Sequence, residues 1–194
     1  AGTAAHAGGG TVTFTGVEHL SIEGGAGDDT VAAQSGMDGA DLSLISASGG
    51  DGDDSLNMIN SEIMVSLDGD AGDDDLVGGD ADDSLDGGSG NDEIDGDHGN
   101  DSIEGGAGND HIEWFDDQGN DSIDGGSGND ELHVYEATDA NAALILSVAA
   151  AAGGNAKLVA SSGSDNDLVT FDDIETVTID SDDGADSITV TDLS

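Results

Sequence analysis

Basic residues are all but missing from this chain. Lys157 is the single Lys or Arg against 45 Asp and Glu in 194 residues, a formal net charge of −44. A nucleic-acid binder needs cationic side chains to displace counterions from phosphate, and docking on an anionic membrane needs a basic patch, so both are excluded. Cysteine is absent, which removes disulfides and thiol catalysis. Proline is absent as well, and aromatic residues make up 3%, so the bulky material of an ordinary core is scarce. No apolar run approaches the roughly 20 residues that span a bilayer, and no membrane insertion is expected. The first ten residues carry no basic stretch followed by an apolar one, so no signal peptide is read there, and the chain reads as a piece of a larger protein.

Glycine (33 residues) and carboxylates are in excess. Low hydrophobicity with high net charge ordinarily leaves a chain disordered. Two escapes exist, a solvated acidic surface or a cation that neutralises the carboxylates. Spacing separates them, because a solvated surface needs no period.

A period is present. Seven nonapeptides of the form Gly-Gly-x-Gly-x-Asp-x-aliphatic-x run from Gly69 to His133, in step except for a two-residue insertion, Trp114 and Phe115. The sixth position is always Asp: Asp74, Asp83, Asp92, Asp101, Asp110, Asp121 and Asp130. The eighth is always aliphatic: Leu76, Leu85, Ile94, Ile103, Ile112, Ile123 and Leu132. Outlying copies place Asp29, Asp54 and Asp186 at the sixth position, each without an in-frame neighbour. Gly at the first, second and fourth positions permits positive φ and bares carbonyls, and Ca²⁺ takes six to eight such hard oxygens.

These nonapeptides resemble the RTX, or haemolysin-type, calcium-binding repeat. The resemblance implies an all-β fold, a parallel β-roll (a right-handed β-solenoid). In it each hexapeptide turns, each x-aliphatic-x tripeptide forms a strand, and two nonapeptides make one coil. It implies Ca²⁺ between turns stacked on the same side, about five ions in the regular roll. The ligands would be the sixth-position Asp residues, with backbone carbonyls of Gly87, Ser89, Asn91, Gly105, Ala107 and Asn109. Acidic ninth positions (Asp86, Asp95, Glu104, Glu113, Asp124) are expected to face water. Ala81 replaces a fourth-position Gly and should disturb its turn, whereas Asp70 and Asp97 at second positions should tolerate left-handed backbone.

Three regions are expected: 1–68 with strand-rich coils and isolated turns, 69–134 the regular roll, and 135–194 a hairpin with capping strands. The stretches TVTF (11–14), VEHLSI (17–22), DLSLIS (41–46), SEIMVSL (61–67), LVTF (168–171) and IETVTI (174–179) read as strands. ALILSVAAAA from Ala143 could be an Ala-rich helix. Turn residues Gly153, Gly154 and Asn155 between two apolar runs favour a hairpin.

No His-Glu-x-x-His or Gly-x-Ser-x-Gly motif is present, and no carboxylate pair stands out, so no enzyme is expected. His98, His111 and His133 occupy different motif positions and are not expected to share a metal. Trp114 and Phe115 read as a packed bulge, with sugar stacking on Trp114 the alternative. The expected function is a calcium-binding structural module of a large extracellular protein of adhesin, surface-layer or matrix type. The resemblance implies type I secretion and folding on Ca²⁺ outside the cell. The alternatives are the accessory domain of a secreted enzyme and a calcium buffer. Residues 12–31 align without a gap on residues 169–188, with seven identities that include Phe14/Phe171, Glu18/Glu175 and Asp29/Asp186. This offset of 157 suggests a tandem array in which neighbouring modules of the same polypeptide are the partners.

Overall fold

The computed structural model describes residues 16–33, 41–59, 61–115, 118–135, 145–150, 156–162, 167–180 and 189–192. Every regular element among them is a strand. In chain order these are β1 (His19–Ala26), β2 (Thr30–Ala32), β3 (Leu44–Asp51), β4 (Ser55–Asn57), β5 (Val65–Ala71), β6 (Asp75–Gly79), β7 (Ser84–Ser89), β8 (Glu93–Asp97) and β9 (Ser102–Gly108). They continue as β10 (His111–Phe115), β11 (Ser122–Asp124), β12 (Ser127–Gly128), β13 (Glu131–Tyr135), β14 (Ile145–Ala150), β15 (Ala156–Ser162), β16 (Asp167–Asp172), β17 (Thr176–Asp180) and β18 (Thr189–Asp192).

Each glycine-rich turn carries the chain from one sheet to the other, so successive strands alternate. One sheet runs β1-β3-β5-β7-β9-β11-β16-β15-β14-β18, with β12 beside β9, and the other runs β17-β13-β10-β8-β6-β4-β2. Within the roll every pairing is parallel. The parallel all-β roll implied by the resemblance is the observed fold.

Register stacks the inward residues into two rows. In the first sheet Ala47, Leu67, Leu85, Ile103, Ile123 and Phe171 lie one above another. In the second, Leu56, Leu76, Ile94, Ile112, Leu132 and Val177 do so. The two rows face each other and form one core, and of their residues only Val177 is partly exposed. A single aliphatic side chain per nonapeptide is thin cover, about 2 kcal/mol of burial for each.

The stack does not begin at the regular repeats. β1 pairs β3 at a step of 25 residues, β3 pairs β5 at 20, and β5 pairs β7 at 18. The turns at Asp29 and Asp54, expected to be isolated, are therefore coils of the same stack. Steps longer than 18 residues thus still bring the described strands back into register. The strand expected at 11–14 lies outside the described residues, as does Asp186.

The Trp114–Phe115 insertion is no bulge. Both residues lie within β10 and pair with Val134 and Tyr135 of β13, so that Trp114, Val134 and Ile179 form an additional inward row. Trp114 is 1% exposed, which closes the sugar-stacking reading. The segment that was ambiguous between helix and hairpin forms the hairpin: β14 and β15 pair antiparallel, with Val148 opposite Leu158. β16 is antiparallel to β15 and parallel to β11, and β17 lies parallel on β13. The chain thus leaves the roll after Tyr135 and rejoins it at Asp167.

Trp114 is the largest fully buried side chain of this thin core among the described residues. Trp114→Ala should cost about 3–5 kcal/mol, read as a loss of stability in chemical unfolding of the calcium-saturated chain. A loss below about 1 kcal/mol would mean that the added row packs loosely.

Candidate metal centre

The turns are built by close approach. Gly88 at a second position has φ 94°, and Gly90 at a fourth position has φ 146°. A Cβ on Gly90 would run into the carbonyl of Gly72 in the preceding coil. Asp70 and Asp97, which replace second-position Gly, take φ 69° and 60°, as their tolerance of left-handed backbone allows.

This stacking places the sixth-position Asp residues in two columns. Along the first, the backbone N–H of Asp29 donates to Asp54 Oδ1, Asp54 to Asp74, Asp74 to Asp92, Asp92 to Asp110, and Asp110 to Asp130, at 2.6–3.0 Å. Along the second, Val65 N–H donates to Asp83 Oδ1, Asp83 to Asp101, and Asp101 to Asp121, at 2.7–2.8 Å. The first column ends on a residue outside the motif, where Asp130 N–H donates to Glu175 Oε2 at 2.8 Å. Motif reading missed Glu175, because it looked only for Asp at this place. The available signal was its alignment with Glu18 at the offset of 157.

One carboxylate oxygen is thereby consumed and the other is not. The Oδ2 atoms of Asp54, Asp74, Asp92, Asp101, Asp110 and Asp130 are buried and have no hydrogen-bond partner. Those of Asp54, Asp74, Asp92, Asp101 and Asp110 lie beside a first-position Gly. A Cβ on Gly87 would lie 2.5 Å from Asp92 Oδ2 and 2.6 Å from the Gly105 carbonyl oxygen, and one on Gly69 would lie 2.5 Å from both Asp74 Oδ2 and the Gly87 carbonyl oxygen. Glycine keeps open a space bounded by a carboxylate and a carbonyl from the next coil. Anionic oxygen, carbonyl oxygen and no donor are what a hard divalent cation takes up.

The electrostatics agree. Burial raises the carboxyl of Asp101 to about 8 and those of Asp74, Asp83 and Asp92 to about 6, with repulsion from neighbouring Asp residues adding to it and a backbone N–H opposing it. Asp110 and Asp130 are raised for the same first reason. A cation in these spaces would reverse the effect.

The remaining expected ligands differ among themselves. Asp83 Oδ2 accepts the N–H of Gly79 at 2.8 Å, in the Ala81 turn, where no residue takes positive φ. The carbonyls of Ser89 and Ala107 accept N–H bonds from Gly72 and Gly90, leaving one lone pair each. Asn91 and Asn109 belong to an exposed side-chain ladder, in which Asn109 donates through both N and Nδ2 to Asn91 Oδ1 at 3.0 Å. The ninth positions do not all face water. Glu104 and Asp124 are exposed, but Asp86, Asp95 and Glu113 are half-buried, because neighbouring coils stack against their flanks. The histidines do not form one group. His98 Nδ1 sits 2.7 Å from Asp97 Oδ1 at an exposed turn, whereas His111 and His133 meet edge to face on β10 and β13.

The model of the RTX calcium-binding nonapeptide repeat matches residues 21–41, 68–102, 77–112 and 115–136. The chain carries RTX-type calcium-binding repeats. RTX repeats bind calcium and form a structural rather than a catalytic domain. Among curated proteins none matches the chain.

The raised carboxyls set a pH dependence for the calcium-free chain. A carboxyl raised in the folded state stays protonated where the unfolded chain has already ionised, so folding is penalised as pH climbs from the ordinary value of 3.8 to about 8. In chelator, acidification from about pH 8 to about pH 4 should therefore increase the strand signal in circular dichroism. A signal that falls over this range would contradict the buried state of these oxygens.

Proposed function

We propose that the chain is a calcium-folded structural module of a larger extracellular protein of adhesin, surface-layer or matrix type. The observation that carries this reading is the ladder of buried Oδ2 atoms with no donor. Unneutralised, such a ladder opposes closure of a roll whose core is one aliphatic side chain per turn. Calcium, when bound, supplies the charge and the oxygen coordination that allow these carboxylates to remain ionised away from water.

In this reading Asp29, Asp54, Asp74, Asp92, Asp110 and Asp130 hold ions along the first column, and Asp101 and Asp121 along the second. Asp83 is a poorer ligand, its second oxygen being held by Gly79. Carbonyls of Gly87, Ser89, Asn91, Gly105, Ala107 and Asn109 complete the shells. Sites of extracellular calcium modules bind at about 10⁻⁴–10⁻³ M, so the chain stays unfolded in a low-calcium cytosol and folds after type I secretion.

The tandem arrangement has a structural counterpart. Gly16 and Asp173, equivalent at the offset of 157, both lie in the left-handed region, at φ 70° and 49°. Each stands two residues before the equivalent Glu18 and Glu175 and three before β1 and β17. Like modules then precede or follow this one along the polypeptide.

Chelation at neutral pH should abolish most of the strand signal and shift the emission of Trp114, the single tryptophan, toward that of exposed indole. Asp101→Ala should raise the calcium midpoint and flatten the titration, at about 1.4 kcal/mol for each site lost at ten times Kd. Glu104→Ala, at an exposed ninth position, should leave both unchanged. Equal effects from the two substitutions would favour a diffuse acidic cloud over defined sites.

A further inference from the structure

The end of the first column is built differently from the rest. Where every earlier turn is followed by another nonapeptide, the turn at Gly125–Asp130 is followed in space by residues 172–175, which lie beyond the hairpin and outside every matched repeat. These residues nevertheless reproduce the groups of a repeat turn. Asp173 takes the left-handed backbone of a second-position residue, at φ 49°. Glu175 Oε2 receives the Asp130 N–H, as an Asp Oδ1 does in the other coils. The Asp130 carbonyl accepts the N–H of Thr176 at 3.0 Å, just as the Asp110 carbonyl accepts that of Glu131 at 2.8 Å.

The carbonyl beside the first-position glycine is reproduced too. A Cβ on Gly125 would collide with the Asp173 carbonyl oxygen, which occupies the place that the Gly105 carbonyl oxygen has beside Gly87. Ile174 Cδ1 and Asp130 Cβ are the next nearest atoms to that position. Asp130 is 1% exposed, and its Oδ2 is buried without a partner. The carboxylates of Glu175, Asp173 and Asp124 crowd it closely enough to repel it. Nothing in the nonapeptide motif requires a chain that has left the roll for over 30 residues to return with a carbonyl and a carboxylate at this one place.

We infer that the non-repeat turn 172–175 completes a further calcium site with Asp130, formed by the Asp173 carbonyl and the Glu175 carboxylate, which clamps the returning chain onto the end of the roll. The inference rests on the calcium reading of the repeats. Glu175 suits the role because its carboxylate has two oxygens, one on the Asp130 N–H and the other for the ion. The site ties residues 45 apart in sequence, against 18 or 20 between regular coils. Occupation of this site therefore decides whether β16 and β17 stay docked.

Calcium stoichiometry of the full chain, measured by titration calorimetry for the unaltered protein, Glu175→Gln, Glu175→Ala and Asp92→Ala, tests this. Glu175→Gln keeps an acceptor for Asp130 N–H but removes the charge. It should bind one ion fewer, keep the circular dichroism of the roll at saturating calcium, and be cut faster by protease between Tyr135 and Asp167. A full ion count in Glu175→Gln, alongside a loss in Asp92→Ala, overturns the clamp and leaves the repeat sites standing. A loss in Glu175→Ala that Glu175→Gln does not share also overturns it, since Glu175 would then act only as a hydrogen-bond acceptor. An unchanged count in Asp92→Ala as well would remove the calcium reading of the repeats and the clamp together.

Discussion

Everything in this molecule depends on a carboxylate that faces two ways. One oxygen of each sixth-position Asp accepts a backbone N–H from the coil before, and that bond sets the spacing and order of the coils. The other oxygen of Asp54, Asp74, Asp92, Asp101, Asp110 and Asp130 is driven out of water by the same stacking and finds no donor. At those six positions ordering and electrostatic strain thus come from one side chain, whereas at Asp83 the Gly79 N–H relieves the second. This couples assembly to a cation more tightly than a surface site would, because the charge to be neutralised is created by folding itself.

The hydrophobic core is subordinate to this arrangement. Its rows of Leu and Ile are continuous, but each coil contributes little area. The one enlargement, at Trp114, Val134 and Ile179, comes where the chain is about to leave the roll. Bulk is placed next to the longest excursion, where the stack has fewest sequence-local contacts to rely on.

Much of this was legible in the sequence, for a physical reason. A nine-residue period, doubled, is the coil step, so register, inward row and Asp columns followed from Asp92, Asp110 and Asp130 recurring with Ile94, Ile112 and Leu132. What was hidden is what breaks the period without breaking the stack. Asp29 and Asp54 sit 25 residues apart and looked isolated, yet the N–H to Oδ1 bond between them survives at 2.6 Å. Glu175 was hidden because it belongs to no repeat and approaches Asp130 only after the hairpin. The closure of Asp83 onto Gly79 was half visible: Ala81 marked the turn as irregular, but only the folded backbone shows which donor moves in.

The glycine-lined turns carry a consequence for how such a chain can change over evolutionary time. First-position glycines are hemmed in by Asp oxygens and carbonyls, and sixth and eighth positions are buried, so substitutions there are penalised by the frame. The third position is at the rim of every turn and already reads Ala71, Asp80, Ser89, His98, Ala107, Gln118 and Ser127. A row of tolerant sites, repeated at each coil on an unchanging lattice, lets the outer chemistry of the module drift freely while the scaffold beneath stays the same.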